Sequence, residues 1–567
     1  MTNQWIASTT KLCKAPLYNA LTHYAGSDQR SFHVPGHKNG MIYTNVLKPI
    51  RGNDLFSSIL QLDVTEISGT DDLHYPQGVI QEAQQLAAQC FGAEESHFLV
   101  GGSTVGNLAL ILTVCSHPGD IIIVQRNVHK SILHGLMMAG AKAVFLTPEL
   151  DQASGLAVIP NLESIEVALK QYPTAKAVLL SSPNYYGMGK DLSGIAEACH
   201  RYQIPLLVDE AHGAHYSQHH RFPISALAAG ADGVVQSTHK MLAAMTMSAM
   251  LHVQGDLIAR SLLKQRLTMV QSSSPSYPLM ASLDLSRYLL DCYGKQIFTT
   301  GLEARDHFTD KLAENKRFDY LSFSDERYTQ DPFKVVIYDL EGYLSGEVLQ
   351  ERLEHYGCVP EMSDDRYVVL VFSLGSTLED SLRLLDALHQ IAQEPLTVSV
   401  EDHQVNNVEE DKNQATIERT RSSEGTKDDH LSKKISSVTS FHFNADSADQ
   451  KSNDHTEQHR DQVTNQGKSI NLDKDQSNEQ NKYNISEPIL FTMTPIDEEN
   501  VEVVSLEQAE GRICAEMVIP YPPGIPILYA GEIIHSSVYD RLLTLRNHHH
   551  KIQGTADSTL NTLRVYK

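Results

Sequence analysis

The chain has 567 residues, with 46 Lys+Arg against 70 Asp+Glu, for a formal net charge of −24 at pH 7. That length exceeds one ordinary core and predicts roughly two to four domains. The acidic balance argues against a nucleic-acid or anionic-membrane binder, and no apolar run approaches the ~18–20 residues that span a bilayer.

In chain order, the start MTNQWIASTTKLCKAPL has no apolar h-region, so no secretory signal is expected. Seven cysteines (Cys13, Cys90, Cys115, Cys199, Cys292, Cys358 and Cys514) are widely spaced without a CxxC, which predicts reduced thiols and a cytoplasmic location, with no zinc site. Residues 1–55 read as an N-terminal arm. From 56 to 270 short apolar runs alternate with helix-like stretches. Candidate strands are 97–100, 120–124, 143–147, 176–181, 204–209, 233–237 and 249–253, with helices such as 79–92 and 192–203 between them. Most of the strand runs are continuously apolar, as strands buried on both faces are. This predicts an α/β domain with a mostly parallel seven-stranded sheet, whose ligands bind beyond the carboxyl ends of the strands. Residues 271–397 read as a smaller α+β domain. Residues 398–485 are polar, acidic and aperiodic, which predicts a disordered linker. Pattern returns over 486–567, a C-terminal α+β domain containing the proline-rich 519-IPYPPGIPILYAGE-532. Adjacent His548, His549 and His550 do not converge on one ion from a regular element, so no metal site is expected there.

The strand 204-IPLLVD-209 ends in Asp209, and the next strand leads into Ser237, Thr238, His239 and Lys240. A carboxylate and a lysine at two strand ends can face one crevice. Pyridoxal 5′-phosphate (PLP) chemistry needs such a pair: the lysine forms the Schiff base, and the ionised carboxylate keeps the pyridine nitrogen protonated. The alternative is structural, with Asp209 capping the next helix and Ser237 or Thr238 capping a helix KMLAAM. The strand–turn–helix 98-FLVGGSTVGNLALIL-112 offers Ser103, Thr104 and a helix N-terminus to a phosphate. His129 follows another strand and could stack on a planar ring, or serve as a structural histidine. Ser182, Asn184 and Tyr185 follow a further strand end as ring or substrate contacts. The tetrad 209-DEAH-212 raises a helicase-type NTPase reading. That reading needs a P-loop, and the chain's only GKS, at 467–469, has Gln462 where the first glycine should stand.

Eight segments in order carry a family resemblance: 32-FHVPGHKNG-40, 63-DVTEISGTDDLHYPQG-78, 99-LVGGSTVGN-107, 126-RNVHKS-131, 181-SSPNYYG-187, 207-LVDEAHGAH-215, 236-QSTHKMLAA-244 and 271-QSSSPSYPLMASLD-284. The chain resembles the Orn/Lys/Arg decarboxylase family, PLP enzymes of fold type I (aspartate-aminotransferase-like). The resemblance implies Lys240 as the Schiff-base lysine, Asp209 at the ring nitrogen, His129 stacked on the ring and His212 near its face. It implies Ser103, Thr104, Ser237 and His239 at the phosphate. It also implies a homodimer or larger homo-oligomer, with 271–278 helping to form the site across the interface. The implied reaction is decarboxylation of a basic amino acid (arginine, lysine or ornithine) to an amine and CO2, within polyamine biosynthesis; an aminotransferase or lyase is the alternative. Asp71, Asp72, Glu66 and Glu361 are candidates for the substrate's distal cation, and Arg366 for its carboxylate. Each could equally be a salt-bridge, capping or surface residue.

Overall fold

The structure is a computed structural model that describes residues 13–46, 53–322, 327–394, 485–521, 524–548 and 550–567. The expected linker, but for Ile485, and His549 lie outside the described residues.

Helix α1 (Pro16–Ala25) opens the described chain, followed by the short α2 (Met41–Val46) and α3 (Asn53–Leu60). Helix α4 (Val79–Phe91) buries Ile80, Ala83, Ala87 and Phe91, and ends at Gly92, whose φ of 78° is the left-handed conformation a C-cap favours. Strand β1 (Glu95–Leu99) then starts the main sheet. It is followed by α5 (Gly102–Val114), β2 (Ile121–Gln125), α6 (Lys130–Ala139), β3 (Lys142–Leu146), α7 (Leu162–Gln171) and β4 (Val178–Ser181). After the two-residue β5 (Met188–Gly189) come α8 (Ser193–Arg201), β6 (Leu206–Asp209), β7 (Gly233–Gln236), α9 (Thr238–Met241) and β8 (Ala249–Val253).

The seven predicted strands therefore all form, each within two residues of its expected start. Strands β7, β6, β4, β2 and β3 run parallel, and β8 joins β7 and β1 antiparallel. An eighth strand, not foreseen, comes from Ile489–Leu490 and pairs antiparallel with the β3 edge at Ala143 and Lys142. A two-residue strand carries too little sequence pattern to be seen beforehand. It covers an edge that would otherwise present unpaired N–H and C=O groups. The parallel strands are buried on both faces, as their unbroken Val/Ile/Leu runs require. Helix α5 is apolar nearly all round, with Ala109, Leu110 and Ile111 buried in one core cluster with Ile122, Ile132 and Leu263.

Residues 318–371 contribute a four-stranded sheet, with Lys334–Asp339 between Phe318–Tyr320 and Val368–Val371. The C-terminal part has its own apolar cluster around Leu506, Cys514, Leu528, Leu542 and Val565. Among the described residues no helix is long and apolar enough to cross a membrane.

The expectation of seven reduced thiols is corrected at one pair. Cys13 and Cys292 are joined in a disulfide across 279 residues of sequence, with Cα atoms 5.7 Å apart. Spacing along the chain could not reveal this. The arm folds back because buried Asp284 accepts from the N–H groups of Leu17 and Tyr18 at the start of α1. Buried Arg287 meanwhile donates to the Lys14 carbonyl and ion-pairs with Asp284 and Asp291.

Candidate active site

The register of the parallel strands sets the site. Ser181 of β4 pairs with Asp209 of β6, and Asp209 with Val235 of β7. Their carboxyl ends, together with Gln125 of β2, open into one cleft of about 530 Å³ of atom-free space. Ser103, Gln125, Asn127, His129, Ser181, Asn184, Tyr185, Asp209, His212 and Lys240 line it, and so does Ile525 from the C-terminal segment.

Asp209 and Lys240, separated by 31 positions, thus face the same space. No helix follows Asp209 directly, so it is not a helix cap. The expected helix KMLAAM is also absent. Helix α9 is four residues long, and its N-cap, Ser237, makes no side-chain cap bond. The structural alternatives for these residues are therefore not the ones observed.

Asp209 is 7% exposed, and burial pushes its carboxyl up. The Lys240 charge, a hydrogen bond from Asn107 Nδ2 (3.0 Å) and one from the Ala211 N–H (3.3 Å) oppose this. Burial likewise lowers Lys240, against the charges of Asp209 and Glu361. Lys240 Nζ stands 3.1 Å from His212 Nε2 and 5.6 Å from the centroid of the Tyr185 ring. The His212 and Tyr185 ring centroids are 4.5 Å apart. Burial and the Lys240 charge hold His212 well below its usual range. His129 caps α6: its Nδ1 accepts from the Ser131 N–H and lies 2.9 Å from Ser131 Oγ. Burial and the Lys240 charge depress it to about 4.

At the phosphate side, Ser103 lines the cleft, whereas Thr104, the next residue of α5, does not. Gly101 and Gly102 admit the close turn: a Cβ on Gly101 would lie 2.6 Å from Val105 Cγ1, and Gly102 has φ +74°. Ser237 is fully buried and its hydroxyl has no hydrogen-bond partner among the described residues; the same holds for Ser181 Oγ and His212 Nδ1. Two of these orphaned atoms belong to cleft-lining residues, Ser181 and His212, and a polar ligand would satisfy them. His239 Nδ1 lies 2.9 Å from the Ser248 carbonyl. Asn184 lines the cleft, but its amide ties a turn, accepting from Tyr186 and Met188 and donating to Ala157.

The candidates for the substrate's distal groups separate. Asp71 is a helix cap, accepting from the N–H groups of Gln77, Gly78, Ile80 and Gln81 at the start of α4. Asp72 accepts from the His74 N–H, and Glu66 is exposed. Glu361 alone among the four acts electrostatically on Lys240, and also on Lys334, whose amine burial lowers to about 8. Arg366 is exposed, stacks over Tyr338 and Tyr367 at 5.2 Å, and does not line the cleft. Of the histidine triplet, His550 Nε2 lies 3.1 Å from Glu347.

Sequence reading missed Asn107, Gln125, Asn127, Ser131, Ser181 and Ile525. The C-terminal segment reaches the cleft through a lock with residues 126–130. Arg126 ion-pairs with Glu532 at 2.7 Å and lies 3.7 Å from the Tyr529 ring centroid. Lys130 N–H donates to the Gly524 carbonyl at 3.1 Å, and a Cβ on Gly524 would come within 3.4 Å of His129 Nε2.

Residues 15–323 match the major domain of the Orn/Lys/Arg decarboxylases, and residues 491–559 match their C-terminal domain. The chain belongs to the Orn/Lys/Arg decarboxylase family. It is thereby an enzyme of the amino-acid decarboxylase class. It is 36% identical to the uncharacterized protein YaaO of Bacillus subtilis (strain 168), over 97% of this chain and 98% of that one. It is 32% identical to an arginine decarboxylase of the same organism, over 98% of each chain. The crystal structure of a Francisella novicida lysine decarboxylase superposes with a TM-score of 0.68 at 19% identity, covering 98% of this chain and 81% of that one. The fold is thus fold type I, as expected from the sequence.

Proposed function

We propose that this chain uses PLP to decarboxylate a basic L-amino acid (arginine, lysine or ornithine), releasing CO2 and the corresponding amine. One observation carries the reading: the Lys240 amine and the Asp209 carboxylate line one buried cleft together with His129 and His212. The orphaned hydroxyls of Ser237 and Ser181 fit a phosphorylated, polar cofactor. So does a desolvated carboxylate at Asp209, which a cationic ring nitrogen would stabilise.

When bound, PLP supplies an electron sink for the pair of electrons left at Cα as CO2 departs. In this reading Lys240 holds the cofactor covalently, Asp209 faces its ring nitrogen, and His129 flanks the ring. Ser103, Thr104, Ser237 and His239 would hold the phosphate. Burial lowers the Lys240 pKa, so the neutral amine that bonding requires is more accessible. The 3.1 Å contact between Lys240 Nζ and His212 Nε2 provides a place to hold the proton that Cα must regain. Ile525 narrows the cleft and helps exclude water. Positioning decides the outcome, because aminotransferases use the same cofactor with a different bond aligned.

The reading extends to a cytoplasmic homodimer or larger homo-oligomer, an expectation that rests on the resemblance of the 271–278 segment; sedimentation of the purified protein checks it. The test of function is to supply arginine, lysine and ornithine separately with PLP, and to measure CO2 and amine. Stoichiometric CO2 and amine from one of them is expected. Keto-acid formation without CO2 would replace the reading with an aminotransferase.

A further inference from the structure

Asn107 sits in the first two turns of α5, is 2% exposed, and does not itself line the cleft. A buried amide must find partners. This one spends its two hydrogens on two other elements: Nδ2 donates to Asp209 Oδ2 at 3.0 Å and to Ser131 Oγ at 3.1 Å. Ser131 Oγ accepts from Asn107, so its own hydrogen is directed to His129 Nδ1, 2.9 Å away. The Ser131 backbone N–H reaches the same nitrogen. The result is a continuous chain, Asp209–Asn107–Ser131–His129, across β6, α5 and the start of α6. Ser131 is 1% exposed, so water does not interrupt it.

We propose that Asn107 is a positioning residue that couples the Asp209 carboxylate to the orientation of the His129 ring through Ser131. The proposal rests on the reading of Asp209 and His129 as the groups on either side of the cofactor. A donor-only NH2 at the centre needs an acceptor at both ends: a carboxyl oxygen of Asp209, and the oxygen of Ser131, whose own hydrogen is then left for His129. His129 is then fixed with Nδ1 accepting and its other ring nitrogen, Nε2, carrying the proton. Residue 107 thereby governs a ring it does not touch.

The test uses the full chain carrying 15N-histidine, first without PLP, with the His129 resonances assigned by loss in His129→Gln. In the unsubstituted protein the Nδ1 resonance should be that of a hydrogen-bonded acceptor. Asn107→Leu, which keeps the branched four-atom side chain but removes both donors, should move that resonance toward the free-acceptor position. Ser131→Ala, a smaller change that removes the Oγ shared by Asn107 and His129 but leaves the Asn107–Asp209 bond, should move it in the same direction. PLP affinity, read by titration, should fall roughly ten- to hundredfold in Asn107→Leu, the scale of a lost hydrogen bond to a charged group. It should fall less in Ser131→Ala, and adding Ser131→Ala to Asn107→Leu should cost little more. A His129 resonance unchanged in Asn107→Leu overturns the proposal, whatever Ser131→Ala does; an unchanged resonance in Ser131→Ala overturns it as well. If the protein takes up no PLP at all, the proposed function fails, while the resonance shifts still decide the coupling.

Discussion

In the buried wall of the cleft, Asp209 at the end of β6 is joined by hydrogen bonds to Asn107 of α5, and Asn107 through Ser131 of α6 to His129. At the rim, Glu361 and Arg366 are exposed, and Arg366 packs on two tyrosines instead of facing the cleft. The buried wall cannot tolerate a missing partner, because an unpaired polar group there costs the full desolvation penalty. The rim can change at little cost. The proposed chemistry lies in the buried wall, and relatives that include an arginine decarboxylase and an uncharacterized protein leave the substrate open.

Breaking the wall should have the largest effects. Lys240→Ala should lower turnover by roughly ten-thousandfold or more, read as amine formed per minute, as loss of a covalent catalytic group does. Asp209→Ala should still bind cofactor but lose about a hundred- to ten-thousandfold in kcat, with substrate KM changed far less. Near-normal turnover in either variant would place the chemistry elsewhere. At the rim, Glu361→Gln should raise KM for a dibasic substrate by several-fold at most and spare kcat, as expected for a partly screened charge. An equal loss in kcat would move Glu361 into the wall.

Two further changes sharpen the contrast through stability. Asp71→Ala removes the acceptor for four N–H groups at the start of α4. It should cost about 1–2 kcal/mol in unfolding free energy without changing activity per folded molecule. Glu210, next to Asp209, is pushed from 4.5 to about 8 by burial, against hydrogen bonds from Gln236 and Ala226. Its folded pKa lies above its unfolded one, so its contribution to stability is full below about 4.5 and is lost as pH rises through about 8. The unfolding temperature should therefore fall as pH rises across that window, and Glu210→Gln should flatten the fall.

The sheet was legible because its strands are buried on both faces, so runs such as Ile121–Val124 and Leu206–Val208 admit no other period. Asp209 and Lys240 were legible because they follow such runs. Asn107 was in view at the end of 99-LVGGSTVGN-107, but its partners are 102 and 24 residues away, and nothing local marks them. Ile525 and the Arg126–Tyr529 lock lie across about 400 residues of chain, so only the folded structure brings them to the cleft. The disulfide of Cys13 with Cys292 was hidden for the same reason. Asp71 was open in the sequence between a binding group and a cap, and its four backbone donors show the cap.

The most direct measurement is to incubate the purified chain with PLP, reduce it with borohydride, digest it and locate the added mass by peptide sequencing. The account predicts a single modified residue, Lys240, with Asp209→Ala still labelled at the same position. A chain that takes up no cofactor, or a label on another lysine, would contradict it.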